Sequence, residues 1–244
     1  KVIVKPSSKA QYISRFIQKV LNNNGYRSIT FKNGKGKRFL YSLMKDIDFV
    51  FYMGGRKIGK SIELFCCERD IEFLGEFEGN DWAIVFDADI EKIANQISEN
   101  VLLKEGKDCD SIKGVLVKNE LYIKMKNVFK VKINNLLNEN PSKEEIINPE
   151  YCSSLWIKKI NTLKEAIELT KLNEHGLSIS IFDKNRKRAL DLARKINTAR
   201  VIINSDTLDI NPLIPWGGIK KTSHGGVDYW VNKFINKKLI EIKK

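Results

Sequence analysis

Cysteine, histidine and long apolar runs are all scarce in this 244-residue chain. The four cysteines include no C-x-x-C pair, and the two histidines lie far from them, so we expect no metal site. A disulfide scaffold is uncommon at this length, which favours a reducing compartment and a cytoplasmic location. No apolar run reaches the roughly 18 residues of a membrane-spanning helix. The chain lacks a starting Met, so we expect a processed chain or a piece of a longer one.

Arginine is also scarce, although the chain is strongly basic. Basic residues outnumber acidic ones by 43 to 30, which gives a net charge of +13, but only 9 of the 43 are arginine. The basic residues are scattered along the chain, and sites that read bases or grip phosphates favour arginine. We therefore expect no nucleic-acid partner and no membrane partner.

Short apolar runs alternate with helical patterns along the chain. Strand, turn and helix follow one another three times in the first 65 residues, which is typical of a parallel α/β architecture. A polar linker is predicted at residues 138–149 and a long basic helix at residues 121–137. The predicted strands cover residues 2–4, 28–31, 47–53, 83–86, 114–117, 177–182, 200–203 and 239–242.

One short motif fits a phosphate-binding loop at every fixed position. Residues 54–61 read Gly-Gly-Arg-Lys-Ile-Gly-Lys-Ser, the pattern G-x-x-x-x-G-K-[ST], between a buried strand and a helix. Lys60 would reach the phosphates and Ser61 would hold Mg²⁺, and Asp87 ends a strand like the acidic residue of a Walker B motif. A P-loop nucleotide hydrolase is therefore one hypothesis for this chain.

Several longer segments, in the correct order, resemble the aldehyde dehydrogenase superfamily without its N-terminal portion. Glu-Phe-Glu-Gly-Asn-Asp-Trp-Ala-Ile-Val at residues 76–85 is similar to the family segment Glu-Leu-Gly-Gly-Lys-Asn-Pro-Ala-Ile-Val. Gly-Lys-Asp-Cys at residues 106–109 is similar to the nucleophile turn Gly-Gln-x-Cys. Further segments that resemble the family lie at residues 2–8, 46–58, 166–182 and 204–225.

The resemblance implies a three-layer α/β fold divided into functional parts. A partial Rossmann-type cofactor domain is expected at residues 1–75, and an α/β catalytic domain at residues 76–230. Residues 231–244 are expected to form a C-terminal tail strand that joins a neighbouring copy, which predicts a homo-oligomer.

The resemblance also implies two catalytic residues. Cys109 is the expected nucleophile, and the lysines beside it, Lys107 and Lys113, should favour its thiolate, whereas the flanking aspartates should oppose it. Glu76 matches the general base that activates water to hydrolyse a thioester. Glu78 stands where the family has glycine, and we expect its charge to raise the pKa of Glu76.

Cofactor-binding residues follow from the same resemblance. Lys5 and Ser8 match positions around the cofactor ribose, and a serine rather than a carboxylate at position 8 permits a 2′-phosphate, which favours NADP over NAD. The remaining expected cofactor-binding residues are Gly34, Gly54, Gly59 and Glu145.

Two departures from the family pattern stand out. Glu145 follows Cys109 after only 36 positions, fewer than the family pattern has, and Thr222 and Ser223 replace the usual Ser-Gly. The expected activity is oxidation of a small-molecule aldehyde to a carboxylic acid with NAD(P)⁺, through a cysteine thiohemiacetal and thioester. An acyl-thioester reductase of the same fold, the P-loop hydrolase and a catalytically inactive family member remain as alternatives.

Overall fold

The chain divides into two compact units, residues Lys1–Asp48 and Phe49–Lys244. A computed structural model describes residues 1–45, 47–148, 155–211 and 213–224 together with Phe234, Ile240 and Glu241, and for residues 104 and 105 the backbone alone. The division at residue 48 differs from the predicted functional division at residue 75, which stays a prediction.

The first unit contains two parallel strands, each followed by a helix. Parallel pairing sets Val2 opposite Ile29 and Val4 opposite Phe31. The amide of Gln18, in the first helix, donates to the carbonyl of Ile29 and accepts from the backbone N–H of Phe31. The elements are β1 (Val2–Val4), α1 (Gln11–Asn23), β2 (Ile29–Phe31) and α2 (Gly36–Leu43).

The second unit begins with a further parallel pair of strands. Its first elements are β3 (Phe49–Met53), α3 (Arg56–Cys67), β4 (Glu72–Glu76), β5 (Asp81–Asp87), α4 (Ile90–Leu102), β6 (Ile112–Lys118) and α5 (Asn119–Ile133). The later elements are β7 (Leu137–Asn138), α6 (Lys143–Ile147), β8 (Leu155–Ile160), α7 (Leu163–Lys171), β9 (His175–Gly176), β10 (Ser178–Asp183), α8 (Arg186–Ala193), β11 (Arg200–Ile203) and β12 (Ile219–Lys220). Strands β3 and β4 pair in parallel, and β9 and β12 pair antiparallel.

A six-stranded parallel sheet forms the centre of this unit, in the order β11-β10-β5-β6-β8-β7. Successive residues of a strand point to opposite faces, so Ala83 and Val85 pack against α4 and α5, while Trp82 and Ile84 face α7 and α8. Helices cover both faces, which explains the continuous apolar sequence of β5. The predicted three-layer α/β fold is confirmed.

Several predicted boundaries were wrong for local reasons. The linker at residues 138–149 contains α6, which begins at a capping box in which Ser142 and Glu145 each accept a backbone N–H of the other. The long basic helix ends at Ile133, because the chain then turns into β7, which pairs with β8. Strands β4, β7, β8, β9 and β12 were not predicted. Only Ile240 and Glu241 of the strand predicted at residues 239–242 are described, so that strand stays a prediction.

Candidate active site

Glu76 ends β4 at a point where the C-terminal part of the chain crosses it. An antiparallel bridge joins Glu76 to Ser223. The backbone N–H of Phe77 donates to the carbonyl of Thr222 at 2.7 Å, and the N–H of His224 donates to that of Gly75 at 3.1 Å. The Ser223 hydroxyl donates to Oε1 of Glu76, whose side chain is 6% exposed. The carboxylate is therefore held by a hydrogen bond and largely removed from water.

Burial raises the pKa of Glu76 to about 7, and the hydrogen bond from Ser223 opposes that rise. The direction agrees with the expectation from the sequence, but the expected cause, the charge of Glu78, was wrong. Removal of the carboxylate from water disfavours its charged form, and this effect accounts for the shift. A carboxyl group that titrates near neutrality can both accept and return a proton at physiological pH.

The carboxylate of Glu78 lies at the start of α3. Its Oε1 accepts the backbone N–H of Arg56 at 2.7 Å. A Cβ atom added to Gly55 would lie 3.3 Å from the same oxygen, so the carboxylate rests against the turn that leads into the helix. Glu78 thus supplies the cap that the turn itself lacks.

Cys109 lies in the turn before β6, next to the turn that carries Glu76. We call residues 76–80 the base turn and residues 106–111 the nucleophile turn. A Cβ atom on Gly79 would lie 1.8 Å from the carbonyl oxygen of Cys109, so the two turns touch and only glycine fits at position 79. Since β5 and β6 are neighbours, both turns stand at the amino edge of the six-stranded sheet. The structure therefore brings the two predicted catalytic residues to one edge.

The nucleophile turn is more acidic than the sequence indicated. The side chain of Cys109 is exposed, yet the protein atoms around its sulfur desolvate it enough to raise its pKa to about 11. Asp110, Asp81 and Asp108 raise the pKa further by charge repulsion, in that order. The predicted opposition by the aspartates is confirmed, and the predicted help from the lysines is not among the largest influences on the pKa of the thiol. The ammonium of Lys113 donates to the carbonyls of Gly106 and Asp108.

A buried carboxyl group underlies this turn. Asp81, at the start of β5, is fully buried, and its Oδ1 accepts the backbone N–H of Ser178 at 3.0 Å. Burial raises the pKa of Asp81 well above its usual range. No signal in the sequence singled out Asp81, because an aspartate at a strand start is usually solvated.

The P-loop interpretation is wrong. Helix α3 already begins at Arg56, and the N–H of Gly59 donates to the carbonyl of Gly55, so only two glycines form the turn and no loop remains to wrap around a phosphate. The hydroxyl of Ser61 donates to the carbonyl of Ile58, and Lys60 pairs with Glu63 at 2.7 Å.

A pocket of about 240 Å³ opens at the start of α3. Its lining combines basic side chains from α3 and from the segment after β12 with Glu78 and the buried His175. Gly54, in the turn beside it, has a φ of +152°, which favours glycine. Gly59 faces the ring of Phe77, which a Cβ atom there would approach to 2.2 Å, so packing alone requires a glycine at that position. The full lining is Arg56, Lys57, Lys60, Glu78, Asn148, Glu174, His175 and Lys221.

The remaining expected cofactor residues are described by their local surroundings. Lys5 donates to the carbonyl of Pro6 at 3.3 Å, Ser8 is exposed, and a Cβ atom on Gly34 would collide with the ring of Phe39 at 2.2 Å. Glu145 accepts from the N–H of Ser142 at 2.8 Å and from the amide of Asn138 at 3.0 Å. A ribose hydroxyl would share this carboxylate with those two donors, and the cofactor role of Glu145 stays a prediction.

Two further searches covered the described residues only. No three or more histidine, cysteine, aspartate or glutamate side chains among them gather into a group that could hold a metal ion. None of the helices in the described part of the chain is long and apolar enough to cross a membrane.

Ser223 and His175 are functional candidates that sequence reasoning missed. The only available signal for Ser223 was its departure from the glycine of the family pattern. For His175 there was none, because its position in the pocket depends on the pairing of β9 with β12.

Comparison with known proteins agrees with this geometry. A lactaldehyde dehydrogenase from Methanococcus maripaludis is 22% identical over 308 aligned positions, which include 99% of this chain and 65% of the relative. An NAD-dependent aldehyde dehydrogenase from Sinorhizobium meliloti shares the fold with a TM-score of 0.84 at 20% identity, over 92% of this chain and 57% of that one. An NADP-dependent glyceraldehyde-3-phosphate dehydrogenase from Bacillus halodurans, complexed with NADP, has a TM-score of 0.81 at 21% identity, over 93% of this chain and 60% of that one.

The chain thus spans between 57% and 65% of the lengths of these three proteins. The profile of the aldehyde dehydrogenase family matches residues 1–150 and again residues 135–240. The two matches meet near Glu145, where the sequence is shorter than the family pattern. With nearly the whole chain matched in order, this protein belongs to the aldehyde dehydrogenase family.

Proposed function

We propose that this chain carries the nucleophile and the base of an NAD(P)-dependent aldehyde dehydrogenase. The observation that carries the proposal is the contact between the base turn and the nucleophile turn, with a buried Glu76 whose pKa is about 7. A base poised near neutral pH is what hydrolysis of a thioester by water requires. Lactaldehyde, taken from the name of a relative, is the first substrate to test.

In the proposed reaction Cys109 attacks the aldehyde carbonyl and forms a thiohemiacetal. The thiol must first lose its proton, and because its pKa is about 11 it is protonated at neutral pH in this state. We assign the loss of the thiol proton to solvent, and Glu76, whose pKa is about 7, takes a proton from the water that hydrolyses the thioester. Ser223 holds the Glu76 carboxylate during that hydrolysis.

The dinucleotide would lie against the Gly54 turn and the basic pocket at the start of α3. Backbone N–H groups at a helix start, together with Arg56 and Lys57, provide the donors that a diphosphate needs. Lys5 and Ser8 carry no charge that repels a 2′-phosphate, so NADP is the proposed first choice and NAD the second. When bound, the nicotinamide ring accepts hydride.

An inactive family member is the second candidate, because the acidic nucleophile turn disfavours the thiolate of Cys109. An acyl-thioester reductase is less favoured, because that reaction needs no base to activate water. Glu76, which is buried and has a pKa of about 7, is suited to be such a base.

The deciding experiment measures NAD(P)H formation with lactaldehyde in wild type, Cys109→Ser and Cys67→Ser. Cys67 is also exposed but ends α3 far from the two turns in sequence, so it is the matched control. We expect Cys109→Ser to lower the rate by about a thousandfold or more, since a lost nucleophile removes the covalent route. An equal loss in both variants would contradict the assignment, and no turnover in wild type would favour the inactive alternative.

A further inference from the structure

The carboxylate of Glu78 occupies the start of a helix. Helix α3 has 12 residues, and its first N–H groups have no partner within the helix, which makes a helix start attractive to anions. The N–H of Arg56 meets Oε1 of Glu78 at 2.7 Å, and no side chain of the turn caps the helix. An anion of the chain itself therefore holds the position that an anionic ligand would take.

The pocket around Glu78 contains more positive charge than is needed to balance the carboxylate of Glu78. Arg56, Lys57, Lys60 and Lys221 line it, against Glu78 and Glu174. Glu174 is already paired with Lys221, and Lys60 with Glu63. The lining thus keeps a net positive charge after Glu78 is counted, which leaves room for a ligand with more than one negative charge.

Three buried polar atoms in this pocket lack a hydrogen-bond partner among the described residues. They are Oε2 of Glu78, Nε of Arg56 and Nδ1 of His175. His175 is 6% exposed, so its ring is more than nine-tenths buried while it lines the pocket. Buried polar atoms are rarely left unpaired, and three of them on residues that line one cavity point to a polar ligand there.

We propose that Glu78 is a built-in occupant of an anion site at the start of α3, and that a diphosphate ligand must displace its carboxylate to bind there. The inference rests on the proposed function in one respect, the identification of the diphosphate with that of the dinucleotide. The site itself is defined by the helix start, the basic lining and the unpaired atoms. Glu78 then acts as an autoinhibitory contact that lowers the affinity of this chain for its own cofactor.

Two substitutions separate the charge of Glu78 from its bulk. Glu78→Gln removes the charge and keeps the shape and an acceptor for the N–H of Arg56. Glu78→Gly also empties the position. Because like charges compete for one set of donors, we expect inorganic pyrophosphate to bind about tenfold more tightly to Glu78→Gln than to wild type, and more tightly still to Glu78→Gly.

The matched control is Glu72→Gln, which makes the same change of net charge at an exposed residue at the other end of β4, outside the pocket lining. Calorimetric titration of all four proteins with inorganic pyrophosphate, and separately with NADP⁺, gives the affinities. Equal affinities in wild type and both Glu78 variants would overturn the proposal, as would an equal gain in Glu72→Gln.

A measurement on wild type alone does not depend on how the variants fold. Displacement of the carboxylate changes the acceptor of the Arg56 N–H, so pyrophosphate should move the amide resonance of Arg56. A resonance that stays in place at saturation would contradict displacement. Tighter pyrophosphate binding by the Glu78 variants, with NADP⁺ bound by none of the proteins, would support the built-in occupant and refute the proposed cofactor instead.

Discussion

The base turn and the nucleophile turn lie in contact at the same edge of the sheet, yet their surroundings oppose each other. Glu76 is buried and its carboxylate accepts one hydroxyl, whereas Cys109 is flanked by Asp108 and Asp110 and lies near the buried Asp81. Desolvation is the first cause of the raised pKa in both. The same physical effect raises the pKa of the carboxyl group to near neutral pH, where a base is useful, and raises the pKa of the thiol far above neutral pH.

The difference teaches that a sequence match to a catalytic turn does not guarantee an activated residue. A reactive cysteine needs an electropositive setting, and here the largest charge effects on the thiol come from three aspartates. Lys113 bonds to two carbonyls of the nucleophile turn and so stabilises the shape of the turn.

The largest effect in this comparison should come from the base turn itself. Glu76→Gln keeps the shape of the side chain and removes its ability to take a proton, so we expect turnover to fall by about a hundredfold to ten-thousandfold. The first round of NADPH formation should survive, because hydride transfer precedes hydrolysis in the proposed reaction. Rapid-mixing kinetics that show loss of the first round as well would place Glu76 earlier in the reaction or remove it from the site.

A smaller effect is expected from relief of the acidic surroundings of Cys109. Asp110→Asn removes the largest repulsive charge, so the pKa of the thiol should fall and its alkylation by iodoacetamide at neutral pH should quicken by about tenfold. Peptide mass spectrometry distinguishes Cys109 from the other thiols. Asp191→Asn, an exposed aspartate paired with Arg194 on α8, is the control and should leave the rate unchanged. An unchanged rate in Asp110→Asn would mean that the charge of Asp110 does not raise the pKa of the thiol.

The smallest expected effect concerns the hydroxyl that holds the base. The hydrogen bond from Ser223 favours the charged form of Glu76, so Ser223→Ala should raise the pKa of Glu76 above about 7. Activity that requires the ionised base then begins at higher pH, and the rising limb of the pH–rate profile should move up by less than about one pH unit. Ser223→Thr should restore the profile, and Ser205→Ala, in an exposed loop, should not move it. A shift to lower pH would contradict the role of Ser223.

Local patterns predicted the parallel framework well. Strands β1 and β11 have the predicted bounds, because β-branched runs between turn residues are unambiguous over a few positions. Strand β8 was missed because two adjacent lysines, Lys158 and Lys159, break the alternation expected of a strand. Its assignment comes from its place between β6 and β7, which only the folded sheet defines.

The sequence predicted which residues form the candidate site, but not the charges and hydrogen bonds that surround them. The resemblance selected Glu76 and Cys109, which the fold brings to one edge of the sheet. The contact of Glu76 with Ser223 spans 147 positions, and the turn of Glu78 toward α3 joins residues 22 positions apart. Charge and hydrogen bonding over such separations depend on tertiary packing, which no local pattern encodes.

The bridge between Glu76 and Ser223 also bears on the order in which the chain is synthesised. Residues 222–224, which bond to Gly75, Glu76 and Phe77, leave the ribosome long after the base turn, since Ser223 follows Glu76 by 147 positions. The nucleophile turn also needs a late segment, because the hydroxyl of Thr207 donates to the carbonyl of Asp110, 97 positions earlier. Neither turn can therefore have its full set of bonds until nearly all of the described chain has been synthesised.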